Sequence, residues 1–156
     1  MDDEAVTVII PTFNREAHIA QAIDSLLCQT SGNWKAIVTD NASTDKSVEI
    51  AQSFAERDSR ISVVVSSENF GPVANWRKGV RLATTNWIKL LFSDDKMAPN
   101  YLASFSEAHK SRRVGCYYAP WRSGIRVDPG WMSGFRYVAL GCLPGNKVSV
   151  SPSCAV

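Results

Sequence analysis

The chain has 156 residues, an apolar fraction of 45% and a formal net charge of +2, which fit one compact domain with a hydrophobic core. The acidic start at 1–4 lacks the basic residues and apolar stretch of a signal peptide, and no apolar run reaches membrane-spanning length. The cysteines are far apart and form no C-x-x-C pair, which argues against a structural zinc site and favours reduced thiols in a cytoplasmic protein.

The chain opens with a predicted strand, loop and helix. A β-branched run predicts a buried strand at 6–10 that Pro11 ends. Apolar residues then recur at helical spacing over 19–27. Asn14 is placed to cap this helix and Glu16 to complement its dipole. The first unit is therefore a strand that leads through a polar loop into a helix.

The same pattern repeats. A strand is predicted at 34–38, followed by a polar loop and a helix that Ser43 or Thr44 opens, and a third strand is predicted at 61–65. Such an alternation of strands and helices predicts an α/β fold, with a mostly parallel sheet and helices on both faces.

A turn at 69–72 precedes a third predicted helix, with Val73, Trp76 and Val80 on its apolar face. The remaining predicted elements are a strand at 87–92, a helix at 101–110, a strand at 115–119 and short strands near 136–140 and 148–150.

Polar residues follow three of the predicted strands. They are Thr12 and Asn14 after the first, Asp40 and Asn41 after the second, and Ser93, Asp94 and Asp95 after the fourth. Because ligands of open α/β sheets bind outside the carboxyl ends of the strands, these clusters predict one site at one rim of the sheet.

Asp94 and Asp95 are the candidate metal ligands. Adjacent carboxylates repel each other, and a hard cation such as Mg²⁺ or Mn²⁺ relieves that repulsion. A cation held by so few carboxylates keeps open positions that substrate phosphates commonly fill. Two other interpretations stay open: the pair caps a helix that begins near Pro99, or it faces solvent.

Asp40 also has two interpretations. Its carboxylate can accept the imide proton of a uracil ring, or it can cap the following helix. Because capping falls more naturally to Ser43 or Thr44, we expect Asp40 to be available to a ligand. No G-x-G-x-x-G follows the first strand and no G-x-x-x-x-G-K-[ST] occurs, so neither of these phosphate-binding loops is indicated.

The region after Lys110 is basic, with six Lys or Arg residues against the single acid Asp128. This imbalance suits an anionic ligand or a phospholipid surface. An ordinary solvated basic face explains it equally well.

Five motifs in order resemble the inverting glycosyltransferases of family 2. They are VIIPTFNR at 8–15, LLCQT at 26–30, TDNASTD at 39–45, NFGPVANW at 69–76 and IKLLFSDD at 88–95. The resemblance implies a Rossmann-like, type A nucleotide-diphospho-sugar transferase fold. Ordered motifs are more specific than any one of them alone.

The resemblance also implies roles for residues. The implied nucleotide-binding set is Pro11, Thr12, Phe13, Asn14, Asp40, Asn41, Asn69, Gly71, Arg77, Ser93 and Asp94. Asp95, with Asp94, would hold a divalent cation, Mn²⁺ or Mg²⁺. Phe92 stands where the family more often has an acid, which leaves two carboxylates for the cation.

The implied reaction is transfer of a sugar from a nucleoside-diphosphate donor, UDP by preference, to a saccharide or lipid-linked acceptor with inversion. We expect no nucleic-acid partner, and a cytoplasmic protein that is either free or peripheral at the inner membrane face. Such a protein would serve polysaccharide or cell-envelope synthesis.

Inversion needs a general base, and no acid follows Asp128. We therefore expect one domain, 1–156, with a donor-binding core at 1–110 and the start of an acceptor region at 111–156 that stops before the base. A noncatalytic nucleotide-binding or interaction module is the alternative. A nucleotidyltransferase is a weaker one, because the loop after the first strand lacks glycines.

Overall fold

The computed structural model describes residues 5–111 and 147–149. The elements in chain order are β1 Val6–Thr12, α1 Ile19–Leu27, β2 Trp34–Asp40, α2 Ser47–Ala55, β3 Ile61–Val65, α3 Pro72–Leu82, β4 Trp87–Leu90, α4 Tyr101–Ser111 and β5 Lys147–Ser149. β5 lies where a strand was predicted at 148–150. The strands predicted at 115–119 and 136–140 fall outside the described residues.

The strands form one parallel sheet in the order β3-β2-β1-β4-β5. Alternate residues of β1 point to opposite faces. Val8 belongs to the large core cluster that includes residues of α1, α2 and α4, whereas Ile9 belongs to a smaller cluster against which Val80 of α3 packs. The predicted α/β fold, with a parallel sheet covered on both faces, is therefore confirmed.

β1 runs two residues further than predicted, through Pro11 to Thr12. The Thr12 carbonyl accepts from Asn41 N on the β2 side. By the alternation of a parallel ladder, the nitrogen of Pro11 then faces β4. Pairing between β1 and β4 ends at Ile9 and Leu90, so the missing N–H of Pro11 breaks no ladder bond.

The predicted helix caps are wrong. α1 begins at Ile19 and α2 at Ser47, and neither has a side-chain hydrogen bond from its N-cap residue. Asn14 therefore does not cap α1, and α2 begins three residues beyond Thr44. The polar residues of both loops bond across to each other instead, as described below.

The face that α3 turns to the sheet also differs from the prediction. Its buried residues are Asn75 and Gly79, whereas Val73 is exposed. A Cβ atom built on Gly79 would lie 2.3 Å from Cγ2 of Ile9. The helix therefore approaches β1 more closely than an apolar side chain at position 79 would allow.

Candidate functional site

The candidate site lies where the chain changes direction across the sheet. From β1 the chain passes through α1 to β2 on one side, and from β3 it returns through α3 to β4 on the other. The carboxyl ends of β1 and β4 are thus a topological switch point, the usual place for a ligand crevice in an open α/β sheet.

Two loops at this edge are bonded to each other: loop 1 (residues 13–18) after β1 and loop 2 (residues 41–46) after β2. The hydrogen bonds that join them and the start of α2 are Asn14 N to Ser43 Oγ (2.9 Å), Arg15 N to Ser47 Oγ (2.7 Å), Glu16 N to Asp45 Oδ2 (3.0 Å), Thr44 N to Asn14 Oδ1 (2.9 Å) and Lys46 N to Glu16 Oε2 (3.0 Å). Each loop therefore supplies both donors and acceptors to the other, which fixes the cleft edge that they form.

Both loops contain a non-glycine residue in the left-handed region, Asn14 at φ 50° and Ala42 at φ 64°. Asn tolerates this conformation, whereas it costs Ala about 1–2 kcal/mol. The hydrogen bonds between the loops offset that cost.

Asp45 links the loops through both carboxylate oxygens, since Oδ1 accepts from Ser47 N at 2.9 Å and Oδ2 from Glu16 N. Burial is the largest influence on the pKa of Asp45 and raises it, but the hydrogen bonds from Ser47 and Glu16 together lower the pKa below its usual value.

We expect Asp45→Ala to lower the free energy of unfolding by about 1 kcal/mol at neutral pH, because two backbone donors lose a charged acceptor. A carboxyl whose pKa is lowered on folding stabilises above its unfolded pKa and loses that effect as pH falls through the folded value. Urea unfolding of both proteins at neutral and acidic pH should therefore show the difference shrink in acid. A difference that grew in acid would contradict this role.

Asp40 is 1% exposed and is the last residue of β2. Its Oδ1 accepts from Ser43 N at 2.8 Å, and its Oδ2 accepts from Ser43 Oγ. The expectation that Ser43 or Thr44 relieves Asp40 of a structural role is therefore wrong. Asp40 orients the hydroxyl oxygen that accepts a hydrogen bond from Asn14 N, and it does not line the cleft.

Asn41 and Asn69 form the next part of the edge. Asn41 Nδ2 donates to Asn69 Oδ1 at 2.6 Å, and Asn41 Oδ1 accepts from Phe70 N at 3.1 Å. Asn69 Oδ1 also accepts from Gly71 N at 2.8 Å, where the backbone has φ 83°. Gly71 therefore serves the turn that carries the chain into α3, since few other residues adopt this φ without strain.

A cleft of about 320 Å³ opens between these loops and α3. Seven of its lining residues were predicted as site residues: Pro11, Thr12, Phe13, Asn41, Asn69, Ser93 and Asp94. The structure thus brings together residues that follow β1, β2, β3 and β4. Five predicted site residues are not among the lining residues: Asn14, Asp40, Gly71, Arg77 and Asp95.

Five further lining residues were not predicted from the sequence as site residues: Arg15, Pro72, Asn75, Trp76 and Phe92. All five lie inside the quoted motifs, and all but Asn75 stand directly beside a predicted site residue. Asn75 is the most informative of the five. Its Nδ2 donates to the Thr39 carbonyl at 2.7 Å, while its buried Oδ1 has no hydrogen-bond partner. A donor group of a ligand or a water would satisfy that oxygen.

The acidic end of the cleft follows β4. Asp94 has a side chain that is 54% exposed, and its Oδ2 lies 3.9 Å from Nε of Arg15 across the cleft. Such an exposed ion pair contributes at most about 1 kcal/mol. Asp95 is half-buried, and its N–H donates to the Phe92 carbonyl at 2.9 Å. α4 begins only at Tyr101, so neither aspartate caps it.

This donor set fits a phosphate-bridged cation and not a cage made of protein alone. Among residues 5–111 and 147–149, no group of three or more His, Cys, Asp or Glu side chains could hold a metal ion. Asp94 lines the cleft, and Asp95 is its half-buried neighbour in the chain. Mg²⁺ is commonly held by one or two carboxylates while water and substrate phosphates complete its shell.

Arg77 lies on the exposed side of α3 and away from the cleft, so the structure does not bring it to the predicted site. The expected start of the acceptor region, 111–156, lies outside the described residues except for Ser111 and residues 147–149. In the part of the chain that is described, no helix has the length and apolar character needed to cross a membrane.

Comparison with known proteins gives a family match over almost the whole chain. The sequence model of the family described as glycosyl transferase family 2 matches residues 7–152.

The chain matches only part of the length of its curated relatives. The chain is 32% identical to glycosyltransferase GlyA of Streptococcus pneumoniae over 121 residues, which is 75% of the chain and 17% of GlyA. It is 34% identical to the putative glycosyltransferase EpsH of Bacillus subtilis over 76% of the chain and 35% of EpsH. It is 35% identical to TuaG of Bacillus subtilis, a putative teichuronic acid biosynthesis glycosyltransferase, over 58% of the chain and 36% of TuaG. The chain therefore spans about a third or less of these relatives.

Solved structures share the fold. Residues 1–349 of TarS from S. aureus superpose with a TM-score of 0.72 at 21% identity, over 81% of this chain and 38% of that one. The mannosyltransferase PcManGT of Pyrobaculum calidifontis, in complex with GDP-Man and Mn²⁺, superposes with a TM-score of 0.63 at 24% identity, over 74% of this chain and 35% of that one. Identities this low support a likeness of fold alone.

Proposed function

The chain belongs to glycosyl transferase family 2, and on that premise we propose that the cleft at the carboxyl ends of β1 and β4 binds a nucleoside-diphosphate sugar for transfer to an acceptor. The observation that carries the proposal is the order of groups along the cleft. The amide side chains of Asn41 and Asn69 follow β2 and β3, whereas Asp94, with Asp95 next to it in the chain, follows β4 on the other side of β1. A ligand with a hydrogen-bonding base at one end and a diphosphate at the other matches that order.

The amide end suits a pyrimidine base. Asn41 and Asn69 are fixed by their mutual hydrogen bond, and each still has an unused hydrogen on Nδ2 or a lone pair. Asn75 Oδ1 adds a buried acceptor. Uracil presents two carbonyl oxygens and an imide N–H, which such groups can pair with. TarS, which shares the fold, has been solved with UDP and with UDP-GlcNAc, which supports uridine as the nucleoside.

The carboxylate end suits the diphosphate with a divalent cation. Asp94 and Asp95 would hold the cation together with phosphate oxygens, and Arg15 stands across the cleft to meet the phosphate charge. The cation would supply charge stabilisation to the departing diphosphate. The Mn²⁺ complex of PcManGT supports this use of a cation in the fold.

Transfer also needs an acceptor and a general base. A carboxylate would deprotonate the acceptor hydroxyl as it attacks the anomeric carbon, with inversion. A saccharide or lipid-linked acceptor in cell-envelope synthesis is favoured, because TuaG is named for teichuronic acid biosynthesis.

Calorimetric titration of the chain with UDP tests the donor site. In MnCl₂ or MgCl₂ we expect saturable binding that weakens by about 100-fold in EDTA, because the cation joins the diphosphate to the two aspartates. CDP is the control ligand for recognition of the nucleobase, because it differs from UDP only in its base and cytosine lacks the imide N–H of uracil. The proposal would be contradicted if the chain bound no nucleotide, or if its affinity for UDP were the same in MnCl₂ and in EDTA.

Donor hydrolysis distinguishes an enzyme from a binding module. Release of UDP from a UDP-sugar by the chain, above the rate in buffer, would favour a transferase. Binding without release would favour a noncatalytic nucleotide-binding module.

A further inference from the structure

The loop that carries the two aspartates is anchored at both ends. This loop, loop 3 (residues 91–100), runs from β4 to α4. Before the aspartates, Leu91 N donates to the Ile9 carbonyl of β1 at 2.9 Å. After them, Met97 N donates to Ser25 Oγ of α1 at 2.9 Å. The aspartates therefore lie on a short stretch of chain between one anchor on the sheet and another on α1.

Gln29, just after α1, extends the second anchor. Its Nε2 donates to the Ala98 carbonyl at 2.7 Å, and its Oε1 accepts from Leu102 N at 3.0 Å. Thr30 N donates to the Pro99 carbonyl at 2.8 Å. Leu102 lies in the first turn of α4, where backbone N–H groups lack partners within the helix. Gln29 thus joins both loop 3 and the start of α4 to α1.

This support acts on the cleft from behind. Ser25 and Gln29 do not line the cleft, so they reach a ligand only through loop 3. The side chain of Asp94 is more than half exposed, so its place depends on the backbone that carries it. We propose that Gln29 is a positioning residue that holds the aspartates of loop 3 where a cation and a diphosphate meet them. This inference rests on the proposed function and gives a role in cation binding to a residue outside the cleft.

The first test compares Gln29→Met with the unaltered chain by titration with UDP in MnCl₂ and in EDTA. Methionine keeps the length of the side chain but lacks the amide, so the bonds to Ala98 and Leu102 are lost. Loss of groups that orient metal ligands typically costs about 10- to 100-fold in metal affinity. Because Gln29 acts through the backbone, we expect the lower value, about a tenfold loss of UDP affinity in MnCl₂, and a change below about twofold in EDTA. Gln21→Met, at an exposed site on α1, is the control and should bind like the unaltered chain.

Ser25→Ala tests the same anchor with a smaller change. The Ser25 hydroxyl accepts from Met97 N and donates to the Ala22 carbonyl of its own helix at 2.7 Å. On α2, the Ser53 hydroxyl makes the same bond within its helix, to the Ile50 carbonyl at 2.7 Å, so Ser53→Ala is the matched control. One hydrogen bond to loop 3 is lost in Ser25→Ala, and we expect UDP affinity in MnCl₂ to fall about threefold. Ser53→Ala should leave it unchanged.

Hydrogen exchange tests the support without any nucleotide. In Gln29→Met, the Leu102 amide loses its acceptor and should exchange with solvent at least about tenfold faster than in the unaltered chain. A variant that was merely less stable would unfold at lower urea but would keep its UDP affinity in MnCl₂ while folded. The selective loss in MnCl₂ therefore separates positioning from stability.

Three outcomes would overturn the inference: an unchanged UDP affinity of Gln29→Met in MnCl₂, equal losses in MnCl₂ and in EDTA, or unchanged exchange of the Leu102 amide. Equal losses would mean that Gln29 supports the whole cleft and not its cation end. If the unaltered chain responds to Mn²⁺ and Gln29→Met responds equally, only this inference falls. If the unaltered chain binds no nucleotide, the proposed function falls with it.

Discussion

Replacement of Asp95 by Ala should remove the cation dependence of donor binding. With two carboxylates at this end of the cleft, and Asp94 more than half exposed, the loss of one leaves too few ligands to hold a cation against water. Metal stabilisation of phosphate charge is worth several kcal/mol, so we expect UDP affinity in MnCl₂ to fall about 100-fold. Titration in MnCl₂ and in EDTA measures both quantities.

The control for Asp95→Ala is Asp24→Ala, which removes the same charge from an exposed position on α1. It should leave UDP affinity in MnCl₂ unchanged within about twofold. In EDTA, the Asp95 variant and the unaltered chain should bind UDP alike. A variant that kept its response to Mn²⁺ would show that the cation is held elsewhere.

Gly79→Ala should destabilise the fold, although Ala is the better helix former by about 1 kcal/mol. The added Cβ would lie 2.3 Å from Cγ2 of Ile9, a fully buried residue of the central strand. Either α3 or β1 must move, and overpacking of this kind costs about 1–3 kcal/mol. Urea unfolding should give a lower free energy of unfolding, and Gly79→Val should lower it further.

Gly32→Ala is the matched control, because its added Cβ would meet only Nη1 of Arg60, at 3.8 Å. We expect a change within about 0.5 kcal/mol. Equal stability for Gly79→Ala and the unaltered chain would mean that α3 does not lie on Ile9 as described. A shift of α3 should also weaken UDP binding, because Asn75 and Trp76 of this helix line the cleft.

The sheet could be predicted because its signal is local. β-branched runs and helical spacing are properties of short segments, and they placed β1 to β4 and α1 in the correct order. Strand ends were less accurate. Pro11 was expected to end β1, but whether a proline is tolerated depends on which neighbour its nitrogen faces, and that requires the register of β1 with β4.

The loop contacts could not be predicted in the same way. Asn14 and Ser43 have the composition of helix caps, and local capping is the simplest expectation for such residues. In the structure each serves the other loop, across a sequence distance that no local pattern reports. The double hydrogen bond of Ser43 to Asp40 spans only three residues, and it was missed because Ser43 was expected to cap α2 and to leave Asp40 available.

The residues that α3 turns to the sheet were not predicted correctly, because two of them are not apolar side chains. Of the predicted apolar residues, Val80 packs against the cluster around Ile9, Val73 is exposed and Trp76 lines the cleft. The fully buried positions of the helix are Asn75, which makes a hydrogen bond, and Gly79, which allows a close backbone approach. Neither is visible to a pattern that counts apolar residues.

The most direct measurement is a crystal structure of the chain with UDP and Mn²⁺. We expect the nucleotide in the cleft at the carboxyl ends of β1 and β4, with its base beside the Asn41–Asn69 pair and with its diphosphate and Mn²⁺ at Asp94 and Asp95. UDP bound outside this cleft, or with its diphosphate away from both aspartates, would contradict it.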